Sequence, residues 1–169
     1  MKALQRTLKL IDTIMEWTCH ALLTGILAVT VMQVFLRFIV NNPTSWSEEV
    51  ALLMLIWFGL IGCGIMVGRN GHIAITYFRD ILPRGNGIYL DLFADVAVLV
   101  FSLFLVSVSG DLIKLVGYQI MPASGLSRAW LYWPVAAGGC LMVLNGTVNL
   151  LTTLCKLKEH LQKDNEASA

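Results

Sequence analysis

The side chains with chemical capacity in this sequence are few, and they gather at the ends of apolar runs. Trp46, Glu48 and Glu49 stand together in Asn41-Asn42-Pro43-Thr44-Ser45-Trp46-Ser47-Glu48-Glu49, with Arg37 shortly before them. Arg69 and His72 follow the next apolar run, and Asp91 and Asp95 open the one after it. Two chemistries suit such groups. Carboxylates near a guanidinium or imidazole make charge-assisted hydrogen bonds that clamp helices together or receive a partner. Two histidines on different helices, His20 and His72, are the minimum for a bis-histidine haem site. That second chemistry is the alternative reading, because His72 lies beyond its apolar run beside Arg69 and Asn70; a hydrogen-bonded, interhelical His20 is the favoured one. Catalytic groupings are missing: there is no Ser/His/Asp order, no Walker loop and no His-Glu-x-x-His. No enzyme activity and no cofactor are expected.

The elements that must position these residues are membrane spans. Apolar residues make up 57% of the 169-residue chain and charged residues only 14%, against about 25% charged in ordinary soluble domains. The uncharged run from Val50 to Val67 covers roughly 27 Å as a helix, close to the minimum for a bilayer core of about 30 Å. The net charge of +1 carries no field that would point to nucleic acid. Cys19, Cys63, Cys140 and Cys155 lie in or at the edge of apolar runs without a Cys-x-x-Cys pair, so they read as small apolar residues rather than as a zinc or disulfide framework.

The fold expected is an all-α membrane protein with four transmembrane helices, over about 17–38, 48–68, 88–109 and 129–154. Residues 1–15 place Leu4, Leu8, Ile11 and Met15 at helical spacing with Lys2, Arg6, Lys9 and Asp12 on other faces, which predicts an amphipathic interfacial helix or else a helical extension of the first span. The apolar run that follows is too long for a signal-peptide core, so the first span is read as retained. The spans form a membrane domain over 16–155, and the charged segment 156–169 is a cytoplasmic tail. Ser45 and Glu48 have capping-box spacing at the start of the second span. Arg37 is placed to pair with Glu48 or Glu49 and clamp spans one and two. Arg69 and His72 are placed to pair with Asp91 and Asp95. Ile73, Ile75, Tyr77, Phe78, Ile81 and Leu82 are too apolar for a free loop and predict a short interfacial helix between spans two and three.

Orientation follows from basic residues. Lys2, Arg6, Lys9, Arg69, Arg79, Arg84, Lys156, Lys158 and Lys163 share one side; Arg37, Lys114 and Arg128 take the other. Such asymmetry puts both termini in the cytoplasm. No span carries a charge near its centre, and no internal repeat is evident, which fits an accessory or scaffold better than a conduit. Gly64 and Gly68 form a Gly-x-x-x-Gly step, and Asn145 and Asn149 share one face of the fourth span; both sets are helix-packing signals, open to another protein.

Taken together, these residues resemble a known family. Arg37, the Asn41–Glu49 stretch, Gly68-Arg69-Asn70-Gly71-His72-Ile73, Pro122-Ala123-Ser124-Gly125-Leu126 and Trp130-Leu131-Tyr132-Trp133-Pro134 are similar to the small membrane (Q) subunit of tripartite ATP-independent periplasmic (TRAP) transporters. The resemblance extends over about 15–155. It implies a bacterial or archaeal cytoplasmic membrane and two protein partners, a large multispan membrane subunit and a periplasmic substrate-binding protein. It also implies sodium-coupled uptake of an organic acid such as a C4-dicarboxylate, a sialic acid or another sugar acid. In that scheme the large subunit carries the substrate and the small one braces it. Arg37, Trp46, Glu48, Glu49, Arg69 and His72 are then motif residues with structural or docking roles.

Overall fold

A computed structural model describes residues 2–69 and 87–167. Four long helices account for nearly all of them: α1 (Lys2–Phe38), α2 (Trp46–Gly68), α3 (Gly87–Val116) and α4 (Trp133–Ala167), with a 3-10 turn, Arg128–Leu131, leading into α4. All four are long and apolar enough to cross a membrane. The short interfacial helix expected between spans two and three lies outside the described residues, as does His72.

The helices stand side by side in the order α1, α2, α4, α3; α2 and α4 are central, and α1 and α3 flank them. α1 runs unbroken from Lys2 to Phe38, so the expected interfacial segment and the first span share one helix. Its end is set by Asn41, whose φ of 53° is left-handed. Asparagine tolerates that region better than most residues, and it lets the Asn42 N–H turn back to the Leu36 carbonyl at 3.0 Å. The expected capping box at Ser45 is overturned. Ser45 caps α2 in a helical conformation without a side-chain bond, because Ser47 takes over the local chemistry. Ser47 is fully buried; its hydroxyl donates to the Thr44 carbonyl at 2.7 Å and lies 3.0 Å from the Thr44 hydroxyl.

Small residues set the spacing of the two central helices. A Cβ added to Gly64 would stand 2.7 Å from Leu141 Cδ2, one at Gly68 would stand 2.8 Å from Asn145 Nδ2, and one at Gly138 would stand 2.6 Å from the Leu60 carbonyl oxygen. The faces expected to receive another protein therefore meet each other. On α3 the buried positions Asp95, Ser102, Ser109 and Val116 recur every seven residues, the seam of a left-handed helix pair. The hydroxyls of Ser102 and Ser109 donate back to Leu99 and Val106 carbonyls at 2.9 and 2.7 Å, so the seam is narrow and leaves neither hydroxyl unpaired. Cys19, Ile61, Ile65 and Leu141 form the apolar core where α1, α2 and α4 meet. The outward flanks are apolar too: Trp17, Phe38 and Phe93 are each more than 70% exposed, as lipid-facing side chains would be.

Candidate functional site

Polar side chains collect at the two ends of the bundle, and each end ties several helices together. At the end where α1 leads into α2, Gln33 Nε2 of α1 donates to Glu48 Oε1 at 2.9 Å. Glu49 turns the other way, towards the connection between α3 and α4. That connection is a tight hairpin: Ile120 bridges Ser127, Met121 N–H donates to the Leu126 carbonyl at 2.8 Å, and Arg128 N–H donates to the Gln119 carbonyl at 2.8 Å. Gly125 sits at its tip with φ 71°, a conformation that costs glycine little. Glu49 receives three donors from it: Ala123 N–H at 3.1 Å, Ser124 N–H at 2.8 Å and the Ser124 hydroxyl at 2.6 Å. Nearby, Trp57 Nε1 donates to the Trp130 carbonyl at 3.1 Å.

These bonds correct one sequence expectation. Arg37 pairs with neither glutamate; its guanidinium lies 5.7 Å from the Phe38 ring centroid, a cation–π contact within its own helix end. Gln33 is the residue of α1 that holds Glu48. Trp46 is 40% exposed, as suits an indole at a membrane interface.

At the opposite end, Asn145 joins three helices. Its Nδ2 donates to the Gly64 carbonyl of α2 at 3.2 Å and to Asp12 Oδ1 of α1 at 3.1 Å. Asn149 Nδ2 donates to the Val67 carbonyl at 2.6 Å, and the Thr153 hydroxyl donates to Asp95 Oδ2 at 2.6 Å. The asparagines thus satisfy carbonyls near the end of α2 and are themselves almost fully buried. Arg69 forms an ion pair with Glu16, which corrects the expected pairing of Arg69 with the aspartates of α3. The physical reason is position: α1 adjoins α2 directly, whereas α3 lies beyond α4. His20 is corrected as well. Its Nδ1 lies 2.7 Å from the Glu16 carbonyl oxygen of its own helix, on an exposed face, and among the described residues this hydrogen bond stays within α1. Among the described residues no three His, Cys, Asp or Glu side chains group as a metal site would require.

The sequence marks Gln33 only as a polar exception within the first span, and it marks neither Glu16 nor Gly138. Glu16 carried a signal, an acid at the same membrane end as Arg69. Gly138 carried none, since one glycine among several in an apolar helix does not announce which carbonyl it admits.

The comparisons with known proteins agree with this architecture. Residues 26–156 match the family described as tripartite ATP-independent periplasmic transporters, DctQ component. The sialic acid TRAP transporter small permease protein SiaQ of Vibrio cholerae is 34% identical over 143 residues, covering 80% of this chain and 78% of that protein. A sialic acid TRAP transporter permease protein, SiaT of Haemophilus influenzae, is 23% identical over 140 residues; the match covers 80% of this chain but only 22% of SiaT. The C4-dicarboxylate TRAP transporter small permease protein DctQ of Vibrio cholerae is 27% identical over 94 residues, 56% of this chain and 40% of that protein. With the family match and four membrane-length helices, this is a multi-pass protein of the bacterial inner membrane. The haem-anchor alternative is not favoured. The chain belongs to the family of TRAP transporter small permease subunits.

Proposed function

We propose that this chain is the stationary small subunit of a sodium-coupled importer of an organic acid, with a larger permease and a periplasmic binding protein as partners. The observation that carries the reading is the match to SiaT, where a segment like this chain occupies under a quarter of a longer permease. Two units joined in one polypeptide in one organism are natural subunits of one complex in another. The names of SiaQ and DctQ support a carboxylated substrate, either a sialic acid or a C4-dicarboxylate.

The physics of the chain supports a brace. An elevator-type carrier needs a neighbour that stays still, and stillness requires helices locked to one another. Here close glycine contacts lock α2 to α4, and hydrogen bonds tie both bundle ends. Glu48, Glu49 and Arg69 stand at the ends of α2, and charged groups at mid-membrane would be the mark of a substrate path. Both termini lie in the cytoplasm in this reading, with the first turns of α1 reaching the inner headgroup layer and residues 156–169 beyond it. Trp46, Glu48 and the α3–α4 hairpin then face the periplasm, where the binding protein docks. Arg37 anchors at that interface, and Arg69 and His72 act on the cytoplasmic side.

Affinity purification of the tagged chain from its own organism tests this. A large multispan permease should accompany it, and deleting the gene should abolish uptake of the organic acid. Purification without such a permease, together with undiminished uptake in the deletion strain, would overturn the reading.

A further inference from the structure

Consecutive residues on an α-helix project roughly 100° apart, and α2 has α1 on one side and α4 on the other. Glu48 and Glu49 use that angle. Glu48 meets Gln33 of α1, while Glu49 meets the hairpin that leads into α4. The donors on Glu49 include two successive backbone N–H groups and one hydroxyl, which together form a small anion cradle filled by a carboxylate of the same chain. Charge-assisted bonds of this kind are stronger than neutral ones. Glu48, by contrast, is exposed.

We propose that Glu49 is a positioning residue: it fastens the Gln119–Arg128 hairpin to the start of α2, so that the two connections at this end of the bundle form one body, while Glu48 ties the same turn to Gln33 of α1. The two adjacent carboxylates therefore divide their work, one towards the hairpin and one towards α1. The consequence for transport rests on the function proposed above; the fastening itself does not.

Two measurements test it. In the full chain in lipid nanodiscs, Glu49→Gln should speed hydrogen exchange at the Ala123 and Ser124 amides by roughly tenfold to a hundredfold, the effect expected of losing a hydrogen bond to a charged group. Glu48→Gln should leave those amides unchanged. In the assembled transporter, Ser124→Ala should slow uptake, and adding it to Glu49→Gln should leave the rate within about twofold of Glu49→Gln alone, because coupled sites are not additive. Ser124→Ala combined with Glu48→Gln should instead multiply the separate effects. Unchanged exchange at both amides in Glu49→Gln would overturn the proposal, as would a Ser124→Ala effect that multiplies with that of Glu49→Gln. Wild-type assemblies that transport nothing would count against the proposed function and not against the fastening, which the exchange data judge separately.

Discussion

Three glycines, Gly64, Gly68 and Gly138, decide how closely α2 and α4 approach, and Gly139 sits as tightly against Val106 of α3. At Gly138 an added Cβ would meet the Leu60 carbonyl oxygen at 2.6 Å, a backbone atom that cannot rotate away. At Gly59 and Gly62 it would meet nothing within 4 Å. Gly138→Ala is therefore expected to destabilise the bundle by about 1–3 kcal/mol, the usual range for overpacking, whereas Gly59→Ala and Gly62→Ala should be neutral or slightly stabilising. Thermal unfolding in one detergent, compared across the three variants, checks this ordering. The residue scale was also the least legible from sequence. The Gly64/Gly68 and Asn145/Asn149 pairs announced packing faces by their spacing, but not that each face would find the other. Glu49 was recognisable as a motif acid, yet its partners lie 74 and 75 residues away, beyond the reach of any local pattern.

At the scale of elements, the α3–α4 pairing depends on a seven-residue seam of narrow side chains, and α1 is held mainly by α2. Enlarging the seam should separate what a change off the seam does not. Ser102→Leu or Ser109→Leu is expected to cost about 1–3 kcal/mol by overpacking, while Ser107→Leu, on an exposed position of the same helix, should cost little. Resistance of the folded chain to denaturing detergent, followed by circular dichroism, distinguishes the two outcomes. The end of the bundle at Asp12 and Glu16 offers a second contrast. Arg69 is 62% exposed in its pair with Glu16, and exposed ion pairs contribute about 0–1 kcal/mol. Asn145 is buried and links three helices. Asn145→Ala should therefore destabilise more than Arg69→Gln, by about 1–2 kcal/mol against under about 1, in the same unfolding assay. The four spans themselves were readable because lipid demands length and apolarity from each segment separately. Helix order was not readable, since adjacency in sequence would have set α3 beside α2, and the ion pairing expected between Arg69 and the α3 aspartates failed for that reason. The capping box failed because Ser47, buried and bonded to Thr44, competes for the same turn.

For the whole molecule, the apolar flanks, the interlocked centre and the two polar ends suit the proposed brace, which must hold its shape in a bilayer. The SiaT match adds that a related unit is continuous with a larger permease. The central claim is that this chain steadies a transporter without carrying the cargo. Reconstitution tests it most directly: proteoliposomes with an inward sodium gradient, a labelled sialic acid and a labelled C4-dicarboxylate, and the chain present alone, absent, or combined with its large permease and binding protein. The account predicts uptake of one of these acids by the complete set, none by the chain alone and a severe loss when it is left out. Flux through liposomes that hold only this chain, or full uptake in its absence, would contradict it.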